Sequence, residues 1–168
     1  QLCITRPEVC DRVYEKLLSY IESDKKRSKE PPRFYSITGN DNVSFCKCEK
    51  CMEYTRKGGN YSDTTLQFIN KIAARLKKSH PDVKIITWAY TYTLQPPKFE
   101  KPLDNVIVEV CNLGKEFTNS GISETTRAVT EPQNREFRKV FTDWAKISPE
   151  LFVWDYWVLY GKTAPFPY

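Results

Sequence analysis

Short apolar runs alternating with helix-patterned stretches constrain this chain more than any other feature. Residues 33–38, 83–90, 105–111 and 151–155 are brief, mostly apolar segments of strand length. Between them, Val9, Val13, Leu17, Leu18 and Ile21 recur at helical spacing behind Pro7 and Glu8. Leu66, Phe68, Ile69, Ile72, Ala73 and Leu76 do the same in a stretch that Ser62-Asp63 would cap. Lys77 and Lys78 close it with charge that favours the C-terminal end of the helix dipole. Phe137, Val140, Phe141 and Trp144 mark a third helix around 134–146. The order is helix, strand, helix, strand, strand, helix, strand. Apolar strands separated by helices predict an α/β fold with a parallel sheet and flanking helices. The link over residues 94–104 carries Pro96, Pro97 and Pro102 and stands where a helix would otherwise join two strands. Four such strands fit part of a (β/α)8 barrel of TIM type better than a closed small domain.

At 168 residues the chain is long enough for one domain with a core. Charged residues at 28% and apolar ones at 40% are ordinary for a globular domain. No apolar run approaches the roughly 18 residues of a membrane span. Net charge is +5, but the basic residues are spread along the chain. The densest cluster, Lys25-Lys26-Arg27-Ser28-Lys29, reads as a solvated loop and not as a nucleic-acid surface. Aromatic residues reach 14%, with four Trp and ten Tyr. Most belong in a core, and planar rings also line carbohydrate sites by stacking on sugar faces. The chain starts at Gln1, so the expectation is a barrel segment over residues 1–168 that comes from a larger or processed protein.

In a barrel of this kind, chemistry sits at the C-terminal ends of the strands. Asp41 follows the first expected strand, Tyr90 and Tyr92 end the second, and Glu109 and Cys111 close the third. Trp154, Asp155 and Tyr156 close the fourth. Polar and aromatic residues therefore gather at one end of the expected sheet.

Several segments are familiar together: NDN-x2-FCKCEKC, SDTTLQFINKIA, PDVKIITWAYTYTLQPPK, PLDNVIVEVC, LFVWDY and PFPY. With the Asn134–Phe137–Trp144 spacing, they make the chain similar to the bacterial family called domain of unknown function 4838. The resemblance spans nearly the whole chain. It implies likeness to barrel-type glycoside hydrolases and to large proteins that are extracellular, on the cell surface or periplasmic. It assigns no catalytic residue. Where family members often carry further cysteines after Cys111, this chain has NLGKEFTNSG.

Glycoside hydrolysis commonly uses two carboxylates facing each other across the scissile bond. The candidates are Asp41, Asp155 and Glu109. Asp155, between Trp154 and Tyr156, would have its pKa raised by desolvation, as a general acid requires. Asp41, between Asn40 and Asn42, suits an ionised carboxylate. Against these roles, Asp41 would cap a turn through its own side chain, and Asp155 would anchor a loop by pairing with a basic residue. Tyr90, Tyr92, Trp154 and Tyr156 are the candidates to hold a sugar.

Cys46, Cys48 and Cys51 form C-x-C-x2-C, and Cys111 would reach the same barrel face. Four thiolates are the number that a structural zinc takes. Disulfides are the rival reading and the preferred one, because the resemblance implies an extracytoplasmic setting and an oxidising compartment favours them; six cysteines allow fifteen pairings. His80, the one histidine, is expected exposed at a helix end, so a histidine-dependent nucleophile is not expected. Asn42-Val43-Ser44 and Asn60-Tyr61-Ser62 match the N-glycosylation acceptor pattern.

Two functions of different class emerge. One is a glycoside hydrolase-like module acting on a glycan through a carboxylate pair. The other is a non-catalytic barrel module that binds glycan or serves as a scaffold. The sheet edges of such a segment would need the remainder of the barrel or a partner chain.

Overall fold

The computed structural model describes residues 2–40, 44–111 and 128–154. Its elements are α1 (Pro7–Arg27), β1 (Phe34–Ser36), α2 (Glu49–Gly58), α3 (Ser62–Ser79), β2 (Lys84–Ala89), β3 (Val106–Cys111), α4 (Arg135–Ala145) and β4 (Leu151–Trp154). The four strands form one parallel sheet in chain order, β1-β2-β3-β4. The expected α/β fold with a parallel sheet and flanking helices is what the chain adopts. β3, VIVEVC, is a β-branched run buried along almost its whole length, as befits a strand paired on both sides.

Register sorts the side chains by face. Tyr35, Ile85, Val106, Val108, Val110 and Leu151 pack toward the helices. There α1 contributes Leu17 and Ile21, and α3 adds Leu66, Ile69, Ile72 and Leu76, all buried. α4 covers the other half of the same face with Val140 and Trp144. The alternate residues, Phe34, Ser36, Lys84, Ile86, Trp88, Ile107, Glu109, Cys111, Phe152 and Trp154, point to the opposite face. Neither apolar core cluster includes any of them.

The edges of the elements differ from expectation in instructive ways. β1 is three residues long where 33–38 was expected. Its ladder continues one residue each way, since Lys84 N–H donates to the Arg33 carbonyl (2.8 Å) and Ile37 N–H to that of Ile86 (2.9 Å). Among the described residues it is an edge strand with a partner on one side only. α2 is a helix that the apolar pattern did not predict, because EKCMEYTRKG buries only Cys51. Its signals were polar: Glu49 in the first turn, a Glu53–Lys57 pair at i,i+4, and Gly59 at φ +82° in the left-handed cap position.

Ser62 and Asp63 do not cap α3 but lie inside its first turn. Asn60 does the local work, its side-chain oxygen accepting the Ser62 N–H at 2.8 Å. The Asn60 amide also donates to the Pro96 carbonyl (3.0 Å), so this glycosylation triplet is part of the fold's own hydrogen bonding. Ser62 and Asp63 instead organise the link from β2 to β3, which has a single 3-10 turn at Thr91–Thr93 and no α-helix. The Ser62 hydroxyl donates to the carbonyls of Gln95 (2.6 Å) and Thr93 (3.1 Å). The carboxylate of Asp63, 0% exposed, accepts the N–H groups of Lys98 (2.9 Å), Phe99 (2.8 Å) and Glu100 (2.9 Å). Gly58 makes room for it, because a Cβ there would collide with the Asp63 carboxylate.

Hydrogen bonds to a charged acceptor are worth more than neutral ones, and a buried N–H left unmade is costly. Asp63→Asn keeps the shape but turns a donor toward these N–H groups. It should lower unfolding free energy by about 2–4 kcal/mol, read from chemical denaturation. Asp82→Asn, at an exposed position, should change it by less than about 0.5 kcal/mol.

Candidate functional site

Two groupings of functional side chains form around the C-terminal ends of β1 to β4. The first lies on the sheet face away from the helices. Trp88 on β2 and Glu109 on β3 are register partners, and the indole N–H of Trp88 donates to Glu109 Oε2 at 2.8 Å. The Trp88 ring stands 6.1 Å from that of Tyr90 and 6.0 Å from that of Trp154. Phe34 and Phe152 meet edge-to-face at 6.0 Å on the same face. Phe34 and Trp154 remain 47% and 40% exposed. Lys84 pairs with Glu150 toward the N-terminal end of the strands. Among the described strand residues, Glu109 is the one acid on this face.

The turn after β2 holds this arrangement. Thr93 Oγ1 lies within hydrogen-bonding reach of the Trp88 and Tyr90 carbonyls (3.1 and 2.9 Å) and of the Tyr90 N–H (3.2 Å). Thr91 sits at φ +48°, a region that a β-branched residue adopts at a cost. A cleft of about 830 Å³ opens along the β1 edge. Val13 and Tyr20 of α1 form part of its wall, as do Tyr35, Trp88 and Tyr90. Glu109 and Trp154 lie outside its lining, beyond Trp88.

The structure thus brings Glu109, Tyr90 and Trp154 together around Trp88. Tyr92 lines the cleft along with Trp88 and Tyr90 but stands away from Glu109: its ring packs on Phe45 (5.2 Å) and Tyr61 (5.6 Å), and its hydroxyl abuts Gly39. Burial pushes the phenols of both Tyr61 and Tyr92 upward. Asp41, Asp155 and Tyr156 lie outside the described residues. Trp88 was missed as a site residue, though its place two residues before Tyr90 on a strand puts it on the same face. His80 is more covered than expected, its side chain 12% exposed beside Glu22, and belongs to the far end of α3.

The second grouping is a knot of thiols beside the Phe45–Tyr61–Tyr92 cluster. Cys3, Cys46, Cys48 and Cys51 place their sulfurs all within 4.8 Å of one another. Cys3 Sγ is 3.5 Å from Cys48 Sγ and 3.9 Å from Cys51 Sγ. Among the described residues no disulfide forms. The expected fourth member, Cys111, is not in the knot. It lies on β3, two strands from β1 and so about 10 Å across the sheet, with its thiol near the Glu109 carbonyl. Cys3 takes its place because α1 leads into β1. A helix preceding a parallel strand starts at that strand's C-terminal end, where the C-x-C-x2-C loop also begins. Cys10 is on α1 and is buried in the core.

Local structure tunes the thiols. Cys48 stands at the N-cap of α2. The Cys51 backbone N–H, with the Cys3 and Cys51 thiols, brings it down to about 6. Cys46 moves the other way. Although the Cys48 backbone N–H favours its thiolate, burial and the neighbouring thiols push it up to about 12. The Thr5 hydroxyl lies 3.3 Å from Cys51 Sγ. The Thr64 hydroxyl donates to the Cys51 carbonyl (3.3 Å), tying α2 to α3.

The family model of Domain of unknown function (DUF4838) matches residues 1–168. The chain belongs to this family. No curated protein and no solved structure matches it. No helix among the described residues of this DUF4838 chain is long and apolar enough to cross a membrane.

The thiolate is the reactive form of cysteine. In metal-free, reduced protein, iodoacetamide should alkylate one thiol in a fast phase that switches on as pH rises through about 6. Cys48→Ser should abolish that phase.

Proposed function

We propose that this chain contributes to a (β/α)8-barrel module of glycoside hydrolase type, acting on a glycan held against the sheet face that the helices leave uncovered. The reading is carried by Glu109, a half-buried carboxylate aimed by the Trp88 indole N–H at 2.8 Å. It shares its face with Phe152 and Trp154, where aromatic planes can lie against sugar rings. A carboxylate oriented as an acceptor suits the nucleophile or the base that activates water. The proton donor of the pair is assigned to Asp155, which follows Trp154 in the chain, while Asp41 is the other candidate for the ionised role given to Glu109. The outer sides of β1 and β4 are where the remainder of the barrel, or a partner chain, would pair. Placement outside the cytoplasm, extracellular, at the cell surface or in the periplasm, goes with this reading through the family resemblance.

The second reading is a non-catalytic glycan-binding module. It is favoured by the single acid on the described strand face, because glycoside hydrolysis needs two.

A panel of aryl glycosides and polysaccharides, assayed for both turnover and binding, separates the readings. Glu109→Gln should cut turnover of the accepted substrate by about 10²–10⁴-fold while leaving binding near wild type. Turnover unchanged in Glu109→Gln would remove Glu109 from the chemistry. Glycan binding that survives Glu109→Gln, fails in Trp88→Ala and comes with no turnover in any variant would establish the binding module.

A further inference from the structure

We propose that Cys3, Cys46, Cys48 and Cys51 bind a single zinc ion, which fastens the N-terminal arm to the loop after β1 and to the first turn of α2. Zinc in structural sites is held by four ligands in a tetrahedron with Zn–S bonds of about 2.3 Å. The edge of a regular tetrahedron is about 1.63 times the distance from centre to corner, so the sulfurs would stand about 3.8 Å apart. The observed separations of 3.5 and 3.9 Å bracket that value, and all four sulfurs lie within 4.8 Å of one another. A disulfide would require about 2.05 Å. Four sulfurs gathered this tightly enclose room for one ion and not for a multi-iron cluster, whose thiolates attach to separate metal atoms. Soft thiolate donors in a tetrahedral array select zinc over the oxygen-preferring divalent ions.

The surroundings are built for thiolates. Cys48 and Cys51 carry the C-x2-C spacing of zinc ligands and open α2, Cys48 at its N-cap and Cys51 in its first turn. Thr5 lies 3.3 Å from Cys51 Sγ and 3.4 Å from Cys3 Sγ, so one hydroxyl proton can be donated to a ligating sulfur from outside the metal's own shell. Phe45, next to Cys46 in the chain, packs on Tyr61 with ring centres 4.3 Å apart, which fixes the loop that carries Cys46. Each thiol still protonated releases its proton to solvent as the ion binds, and four thiolates around a dication carry a net charge of about −2. Lys47 and Lys50 stand between the ligands in the sequence and oppose that charge.

Protein purified under reducing conditions without chelator should carry one zinc per chain by elemental analysis. Its cobalt(II)-substituted form should show the absorption of a tetrahedral ion with four sulfur ligands. Thr5→Val should weaken zinc affinity by about 10-fold. Cys3→Ser should weaken it by more than about 100-fold, beyond the usual range for outer-shell losses. Cys10→Ser and Cys111→Ser should leave zinc binding unchanged. If Cys3→Ser is not recovered folded, Cys3→His retains four ligands and should shift the cobalt spectrum to that of three sulfurs and one nitrogen. Three results would overturn the site. One is the absence of stoichiometric metal after reconstitution with zinc under reducing conditions. Another is full retention of zinc in Cys3→Ser. The third is loss of zinc in Cys111→Ser.

Discussion

A carboxylate without exposure to solvent, Asp63 in the first turn of α3, gathers three consecutive backbone N–H groups from the link between β2 and β3. That link has no α-helix to satisfy its own polar groups, and a buried backbone donor must find a partner somewhere. Asp63 supplies it, Ser62 adds two carbonyl contacts, and Asn70 bridges the Lys101 carbonyl and the Leu103 N–H. Farther along, Asn105 ties the start of β3 to the Ala73 carbonyl of α3, and Trp144 reaches from α4 to the Leu94 carbonyl. β3 enters the sheet in register because its approach is held to α3 at these points. The opposition of Trp88 to Glu109 follows from that register.

The sheet is unequal in its two faces. Toward the helices it is a close-packed aliphatic layer of Ile, Leu and Val. Away from them, aromatic rings, one acid and one lysine-to-glutamate pair share the surface with Ile86 and Ile107. A face designed only to be buried would not place a carboxylate beside an indole N–H, because desolvating a charge costs more than an aliphatic substitute would. Exposed Phe34 and Trp154 near the two sheet edges show the same thing from the apolar side.

Much of the fold was legible because periodicity carries tertiary information when one face of an element is apolar. The helical spacing of Leu17 and Ile21, and the Val-Ile-Val start of β3, belong to elements whose burial is nearly all aliphatic. α2 was illegible for the converse reason: it is a polar helix that buries one cysteine. Ser62 and Asp63 misled because a local capping rule competed with long-range partners that no local window contains. Among the cysteines, Cys46, Cys48 and Cys51 were grouped correctly from spacing alone, whereas Cys3 required direction. The chain enters α1 at the end of the sheet where β1 leaves, so residue 3 had to lie near that loop, while Cys111 had to lie two strands away. Glu109 could be placed near a strand end from pattern. Its hydrogen bond to Trp88 depends on the pairing register, which spacing within one strand does not encode.

Cys3 and Cys51 are 48 residues apart in sequence and 3.9 Å apart in space. Everything between them, α1, β1 and the start of α2, is one large loop pinched shut at its neck. Any bond through that neck withdraws conformations from the unfolded chain, by about 4 kcal/mol for a closed loop of this length. Fraying of the N-terminal arm would then cease to be a local event, since residue 3 could not leave without opening the whole neck. If the closure is a reversible metal bond, the stability of this third of the chain becomes a function of free metal concentration, rising logarithmically once that concentration exceeds the dissociation constant.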